Sequence, residues 1–325
     1  MGRPDGTLEI PFIKGHMGGN TIALLPGENL PEEGLLETVL LALRDTCLGC
    51  HEAGLVYPSP LPGRLRLRIV GRSSRRFITA CGGMTQVLGA AIGCGMLAEV
   101  MGFGPCGSSR LVLETEAGSV PLSVSVSGAS VRTETGMTPF LEEVRRSGIE
   151  NIVLEGTRAV RAGKFLVVRA DDLLDRFEAG EVVGLTPRVR SALTEIQSQF
   201  LARYPQASLD FAVYDLRPER PGNLGRLVFP HWLPEGHVEP ACGTGTIAVC
   251  AVLAFLGKLP GSHGGGCLEV RFESGGGPDL GGPDITTAIM EFSAGEIESI
   301  RFSHSFVELT SRGKVMLSLK DRSPE

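Results

Sequence analysis

The sequence shows little of three features: it has no surplus of basic residues, no long apolar run and no pattern of the signal-peptide type in its first residues. Its 31 Lys and Arg are outnumbered by 37 Asp and Glu, which gives a formal net charge of −6. A nucleic-acid-binding protein usually carries a basic surplus, so this class is excluded. No stretch of about 18 apolar residues is present, so no membrane span is predicted. A small anionic substrate stays open, because a site can be locally positive inside an acidic protein.

The first residues contain no apolar segment and no cleavage site of the signal-peptide type, which predicts a cytoplasmic protein. Thiols stay reduced in that compartment. The eight cysteines are therefore candidates for chemistry or core packing rather than for disulfides.

The 325 residues are too many for a single hydrophobic core and predict two domains. Apolar periodicity predicts helices over 31–48, 84–100, 187–204 and 244–259, with strands between them. A break at 137–139 is the predicted domain boundary.

A short internal repeat is the most informative feature of the sequence. The segment A-C-G-G-M-T at Ala80–Thr85 opens one strongly apolar helix, and A-C-G-T-G-T at Ala241–Thr246 opens another. Two similar halves, each with a cysteine at a helix start, predict a pseudo-two-fold protein with a cleft between the halves.

The position of these cysteines predicts their chemistry. A helix N-terminus leaves N–H groups without intrahelical partners, and its dipole favours negative charge. A thiol there ionises more readily than a free thiol, and the same N–H groups can bind a carboxylate. Cys81 and Cys242 are therefore predicted to face one small carboxylate from opposite sides. One thiolate removes a proton from carbon, the other thiol returns a proton to the opposite face, and no cofactor is required.

At these residues the sequence resembles the diaminopimelate epimerase and proline racemase superfamily. The family's opening K-x-H-x-x-G-N turn is matched by Lys14, His16, Gly19 and Asn20. Its C-G and C-G-T-G motifs are matched at Cys81-Gly82 and at Cys242 to Gly245. The resemblance implies an α+β fold of two pseudo-symmetric halves, each a β-barrel-like sheet wrapped around a central helix. Residues 1–137 plus 305–325 would form the half that carries Cys81, and residues 138–304 the half that carries Cys242.

The resemblance also implies a set of substrate-binding residues around the two cysteines. Its members are His16, Asn20, Gly82, Gly83, Glu239, Gly243, Thr244 and Gly245. His16 has an alternative role in ordering its own turn, and His237 is a further candidate beside Glu239. The Glu-Arg pair that precedes the family's second cysteine is missing, which puts diaminopimelate itself in doubt as the substrate. Lys164, or an arginine between Arg64 and Arg76, is the candidate replacement for the carboxylate contact.

Three functions stay open at this point. The first is racemisation or epimerisation of a small amino acid or a related carboxylate. The second is migration of a carbon–carbon double bond in an unsaturated acid. The third is a small-carboxylate-binding protein without activity, which the presence of both cysteines disfavours. A small carboxylate is the expected partner in each case, and a homodimer stays open.

Two further motifs are expected to be coincidental. Cys47 to His51 matches the C-x-x-C-H haem-attachment pattern, but covalent haem attachment requires export. Gly102 to Gly107 matches G-x-G-x-x-G, but it follows a helix and is better explained as a helix C-cap. The sequence therefore predicts no bound metal, haem or nicotinamide.

Overall fold

The computed structural model describes residues 7–154, 156–173, 177–178, 186–205, 210–230, 238–239, 241–260, 265–274 and 284–318. The fold is mixed α+β, with extensive strands and few helices, as predicted. The chain divides into two compact units, Met1–Gly136 with Phe306–Glu325 and Met137–Ser305. Their role as domains related by pseudo-symmetry stays a prediction. Among the residues that the structure describes, no helix is both long and apolar enough to cross a membrane.

The first unit consists of strands around one buried helix. Its strands are β1 (Thr7–Met17), β2 (Asn20–Pro26), β3 (Glu52–Pro58), β4 (Arg64–Gly71), β5 (Arg76–Ile78), β6 (Ser109–Thr115), β7 (Gly118–Ser127), β8 (Ser130–Gly136) and β18 (Val307–Ser318). Its helices are α1 (Leu35–Ala42), α2 (Gly82–Gly93) and α3 (Met96–Met101).

Strand pairing in this unit brings distant segments together. β1 and β2 form a hairpin, and β2 pairs in parallel with β3. β4 pairs antiparallel with β3 and β5 and in parallel with β6, while β6, β7 and β8 form a meander. β18 pairs antiparallel with β1 along its whole length, from Met17–Val307 to Thr7–Ser318. Helix α2 is apolar on all sides and packs against several of these strands, as a core helix must.

Two helices differ from their predicted extent. The helix expected over 84–100 is two helices, because Gly95 adopts the left-handed conformation (φ 77°) and ends the α-helical run. The helix expected over 31–48 is confined to Leu35–Ala42, because Gly34 is also left-handed and 43–48 form turns. A helix, Thr138–Ser147, begins at the boundary expected at 137–139, and the division into compact units falls between Gly136 and Met137.

The second unit also surrounds a buried helix. Its strands are β9 (Ile149–Leu154), β10 (Thr157–Ala162), β11 (Phe165–Arg169), β12 (Asp210–Asp215), β13 (Gly225–Pro230), β14 (Val238–Glu239), β15 (Gly266–Ser274), β16 (Asp284–Ser293) and β17 (Glu296–His304). Its helices are α4 (Thr138–Ser147), α5 (Pro187–Arg203) and α6 (Gly243–Phe255). Helix α6 packs against β10, β11, β12, β16 and β17, and α5 covers a separate apolar cluster on β9 to β12.

The two units connect their strands in the same order. In each, a hairpin is followed by a helix and then by a strand parallel to the second hairpin strand, β3 in one unit and β12 in the other. In each, the buried helix follows a short antiparallel strand and precedes a three-stranded meander. The matching order extends the sequence repeat from the cysteine motif to the connectivity of each unit.

Candidate active site

Cys81 is the N-cap residue of α2, as the sequence predicted. Its backbone is extended (φ −147°, ψ 115°), and its Sγ accepts a hydrogen bond from the Met84 N–H at 3.2 Å. The sulfur thus replaces the oxygen that usually caps a helix, and it lies where the dipole favours a negative charge. This position favours the thiolate, which is the reactive form of cysteine.

Cys242 occupies the same position at the start of α6. Its backbone is extended (φ −130°, ψ 116°), and its Sγ accepts from the Gly245 N–H at 3.4 Å. The Thr244 hydroxyl lies 3.4 Å from the same sulfur, and the residue is only 8% exposed. Both predicted helix starts are therefore confirmed, whereas the roles of the two thiols and their arrangement across a cleft stay predictions.

Glu52 makes a close contact with Cys81, and it was not among the residues predicted from the sequence. Its Oε2 lies 2.6 Å from Cys81 Sγ. A thiol and a carboxylate at this distance share one proton, because two adjacent negative charges would repel. Glu52 opens β3, which pairs in parallel with β2 so that Glu52 is opposite Ile22. That register places the Glu52 carboxylate near the N-terminal end of β2, which begins with Asn20.

Asn20 lies beside the first turn of α2. Its side chain is 2% exposed, and its Oδ1 is 3.2 Å from His51 Nδ1. A Cβ added at Gly83 would lie 3.6 Å from Asn20 Nδ2 and 3.2 Å from Ile22. Gly83 thus allows the helix start to approach β2 closely. The structure brings together Asn20, Gly83 and Cys81 of the predicted set, and adds His51 and Glu52.

His16 holds the turn between β1 and β2. Its Nδ1 accepts a hydrogen bond from the Gly19 N–H at 3.3 Å, and its Nε2 lies 3.4 Å from a Glu308 carboxylate oxygen. The ring also meets Phe306 edge-on, with centroids 5.2 Å apart. These contacts are sufficient to explain His16 as a residue that orders the turn. Its binding of substrate stays a prediction.

Lys164 and Asp210 form an ion pair near Cys242. Lys164 lies in the hairpin between β10 and β11, and its Nζ is 2.7 Å from Asp210 Oδ2. Burial would lower the pKa of the Lys164 ammonium, but Asp210, and to a smaller extent Cys242 and Glu239, raise it above its usual value. The ammonium therefore stays charged and lies within electrostatic reach of both Cys242 and Glu239. Its side chain is 38% exposed, which leaves it accessible to a ligand.

Glu52 and Asp210 occupy equivalent places in their units. Each opens the strand that pairs in parallel with the second hairpin strand, β3 with β2 and β12 with β11. The Glu52 carboxylate contacts the Cys81 thiol, and the Asp210 carboxylate contacts Lys164, whose ammonium lies within electrostatic reach of Cys242.

The other sequence candidates lie elsewhere. Arg64 and Arg68 pair with Glu114 and Glu116 on the outer side of β4, and Arg72 pairs with Asp45. His237 lies outside the described residues, as does most of the segment before Cys242. The arginine run thus has partners of its own, and Lys164 is the better candidate for the carboxylate contact.

The look-alike motifs have structural explanations. Cys47 is exposed, whereas Cys50 is buried, which raises the pKa of its thiol to about 11. Gly102 adopts φ 77° and caps α3, so the predicted C-cap is confirmed. Within the described ranges, no three His, Cys, Asp or Glu side chains are grouped so that they could hold a metal ion.

We expect Gly245→Ala to destabilise the second unit. An added Cβ would lie 2.5 Å from a ring carbon of Phe229, which is fully buried, and 3.2 Å from Phe165. Overpacking of this kind costs about 1–3 kcal/mol in the free energy of unfolding. Urea denaturation measures the change. Gly265→Ala is the control, because its Cβ would meet only the Phe292 carbonyl, at 3.6 Å. Equal effects of the two substitutions would contradict the close packing of α6 on Phe229.

Comparison with solved structures identifies the fold. A hydroxyproline epimerase from Agrobacterium vitis, with bound trans-4-OH-L-proline, matches with a TM-score of 0.65 at 16% identity, over 97% of this chain and 93% of that one. Methylitaconate-delta-isomerase matches with a TM-score of 0.61 at 12% identity, over 98% of both chains. A PhzF-family phenazine biosynthesis protein from Bacillus anthracis matches with a TM-score of 0.59 at 12% identity, over 96% and 99%. No family model matches the chain, and no curated protein matches it in sequence.

The chain therefore has the diaminopimelate epimerase-like fold that these proteins share. The resemblance seen in the sequence motifs is confirmed at the level of the fold.

Proposed function

We propose that this protein is a cofactor-independent isomerase that moves a proton on a small carboxylate, with Cys81 and Cys242 as the two proton-transfer groups. The observation that carries the proposal is the repeated thiol N-cap, with an acidic residue at the equivalent strand start in each unit. Proteins with this fold include an epimerase, a racemase and a double-bond isomerase, which supports the reaction class.

In the proposed first step, Glu52 accepts the Cys81 thiol proton and leaves a thiolate that is held by the Met84 N–H. The thiolate removes the proton from the carbon next to the substrate carboxylate. The Cys242 thiol then delivers its own proton to the opposite face, so that the substrate loses one proton and gains a different one. Cys81 ends as the thiol, Cys242 as the thiolate and Glu52 in its protonated form; loss of the Glu52 proton to solvent and uptake of a solvent proton by Cys242 restore the starting state. The reverse direction exchanges the roles of the two thiols.

Helix starts also stabilise the intermediate in this proposal. Each sulfur uses one N–H of its helix, which leaves other first-turn N–H groups of α2 and α6 for an anion. Donors that are fixed before the reaction stabilise a developing enolate without reorganisation. Glycines at 82, 83, 243 and 245 keep this backbone open to a ligand.

The leading substrate class is a small amino acid or a related carboxylate. The hydroxyproline epimerase of the same fold has trans-4-OH-L-proline bound, which supports a cyclic or other small amino acid. The alternative is double-bond migration in an unsaturated acid, as in methylitaconate-delta-isomerase.

Proton exchange in D₂O tests the proposal and separates the two classes. Incubation with small D- and L-amino acids should incorporate one deuterium at the α-carbon of the product, detected by NMR. Incubation with unsaturated dicarboxylates should instead shift the vinyl signals. A purified, folded protein that catalyses neither exchange, across both panels and without added cofactor, would leave only the non-catalytic carboxylate-binding function.

We expect Lys164→Met to weaken substrate binding more than turnover. The variant removes the cation near Cys242 but keeps a side chain of similar length. Loss of a charge-assisted contact of about 1.5–3 kcal/mol raises KM by about 10–100-fold. Steady-state kinetics measure the effect, and Arg271→Met, at an exposed position of the same unit, is the control. A fall in kcat at unchanged KM would contradict a binding role.

A further inference from the structure

We propose that the second unit carries a separate binding site for a small organic anion, at the C-terminal end of α6. A cavity of about 420 Å³ lies there, which is within the usual size of small-molecule sites. Its lining combines the outer strands with the residues that follow α6. The lining residues are Asn151, Ile152, Val153, Arg158, Ala159, Val160, Val167, Arg169, Asp172, Tyr214, Leu256 and Lys258.

The cavity lies on the sheet face opposite the α5 core. Strand register places Arg158 beside Val153 and Arg169 beside Tyr214. The alternate residues of β9 to β12, such as Leu154 and Val168, belong to the apolar cluster under α5. Since side chains alternate across a sheet, both arginines project to the other face, among valines. Paired cations among apolar side chains suit a ligand that is partly charged and partly apolar.

Positive charge exceeds negative charge at this cavity. Arg158, Arg169 and Lys258 line it, against the single carboxylate of Asp172. Arg169 also pairs with Asp171, which is shared with Arg217. By contrast, the Arg158 and Lys258 side chains make no hydrogen bond or close ion pair with any residue that the structure describes, and they act on Asp172 only electrostatically.

Arg158, Arg169 and Lys258 all act electrostatically on the Asp172 carboxyl group. Burial raises the pKa of the Asp172 carboxyl group, and Arg169, Arg158 and Lys258 each oppose that rise. All three positive side chains line the same cavity as this carboxyl group. A bound anion would place its charge among the same side chains.

The remaining lining defines the class of ligand. Tyr214 is 3% exposed, and burial raises its phenol pKa to about 12, so its hydroxyl keeps its proton at neutral pH. Val153, 62% exposed, and Val160 form an apolar wall next to the arginines. The site thus suits a carboxylate or phosphate that carries an apolar group.

The site is distinct from the Cys242 position. Helix α6 has 13 residues, and it holds Cys242 before its first turn while the cavity contacts the residues after its last. At a rise of about 1.5 Å per residue, the two ends are about 20 Å apart. A ligand in the cavity would not reach the thiol.

Calorimetric titration tests the proposal with two anions, phenyl phosphate and phenylacetate, and with neutral benzyl alcohol. We expect saturable binding of at least one anion, with benzyl alcohol about tenfold weaker or worse. The preferred anion identifies the head group. The double variant Arg158→Gln with Lys258→Gln should weaken binding by about tenfold or more, as expected for lost charge-assisted contacts.

Two further variants make the result specific. Arg271→Gln removes an exposed cation of the same unit outside the cavity, and it should bind as the unchanged protein does. Cys242→Ser should also keep the affinity, whether or not the proposed isomerase activity exists. The proposal is overturned if neither anion binds saturably, if the double variant binds normally, or if Cys242→Ser loses the binding.

Discussion

Replacing Cys81 or Cys242 with Ser is expected to abolish interconversion of the substrate while the protein stays folded. Serine is close to cysteine in size and can still cap the helix, but its hydroxyl is too weak an acid to supply an anionic base. Loss of a general acid–base group lowers kcat/KM by about 10²–10⁴-fold. Chiral chromatography of the product, starting from each enantiomer in turn, measures the loss.

Deuterium exchange distinguishes the two thiols. In the proposed mechanism each thiol acts on one side of the carbon, so each single variant should still exchange the α-proton of one enantiomer, and the two variants should retain exchange of opposite enantiomers. Cys94→Ser is the control for Cys81, because Cys94 lies at the other end of α2. Cys267→Ser, at an exposed position of the second unit, is the control for Cys242. Near-normal rates in both directions for both single variants would remove the cysteines from the mechanism.

Replacing Glu52 with Gln is expected to have the next largest effect, a fall in kcat/KM of about 10²-fold. Glutamine keeps the size of the side chain but cannot accept the thiol proton at 2.6 Å. The equilibrium constant is fixed by the substrate, so kcat/KM must fall equally in both directions. Exchange catalysed by Cys242 alone should persist in D₂O.

The matched control is Glu114→Gln. Glu114 lies on β6 of the same unit, and its carboxylate pairs with Arg64 rather than with a cysteine. Thermal denaturation should show that both variants are folded. A Glu52→Gln protein with kcat/KM within about threefold of the unchanged protein would place Glu52 outside the proton path.

The helix starts were predictable because capping depends on local sequence. The repeated A-C-G motif indicated both N-caps, and the structure confirms them. Glu52 and Asp210 were not predictable in this way, since each reaches the site through a parallel strand register that no local motif encodes. Aligning the two halves element by element would have placed Glu52 and Asp210 at the start of equivalent strands, β3 and β12.

Helix lengths were less predictable than helix positions. Apolar periodicity continues through 84–100, but Gly95 ends the helix by its backbone conformation and not by its polarity. Glycine in a helical pattern is compatible with either outcome.

The pairing of β18 with β1 has a consequence for the order in which the chain folds. The two strands meet across a sequence separation of 296 residues, as between Thr310 and Lys14. During synthesis the second unit can assemble as soon as it leaves the ribosome, because its segments are contiguous. The Cys81 unit must wait for β18, although most of its residues are made first. Until β18 arrives, β1 has an unpaired edge that can join other chains.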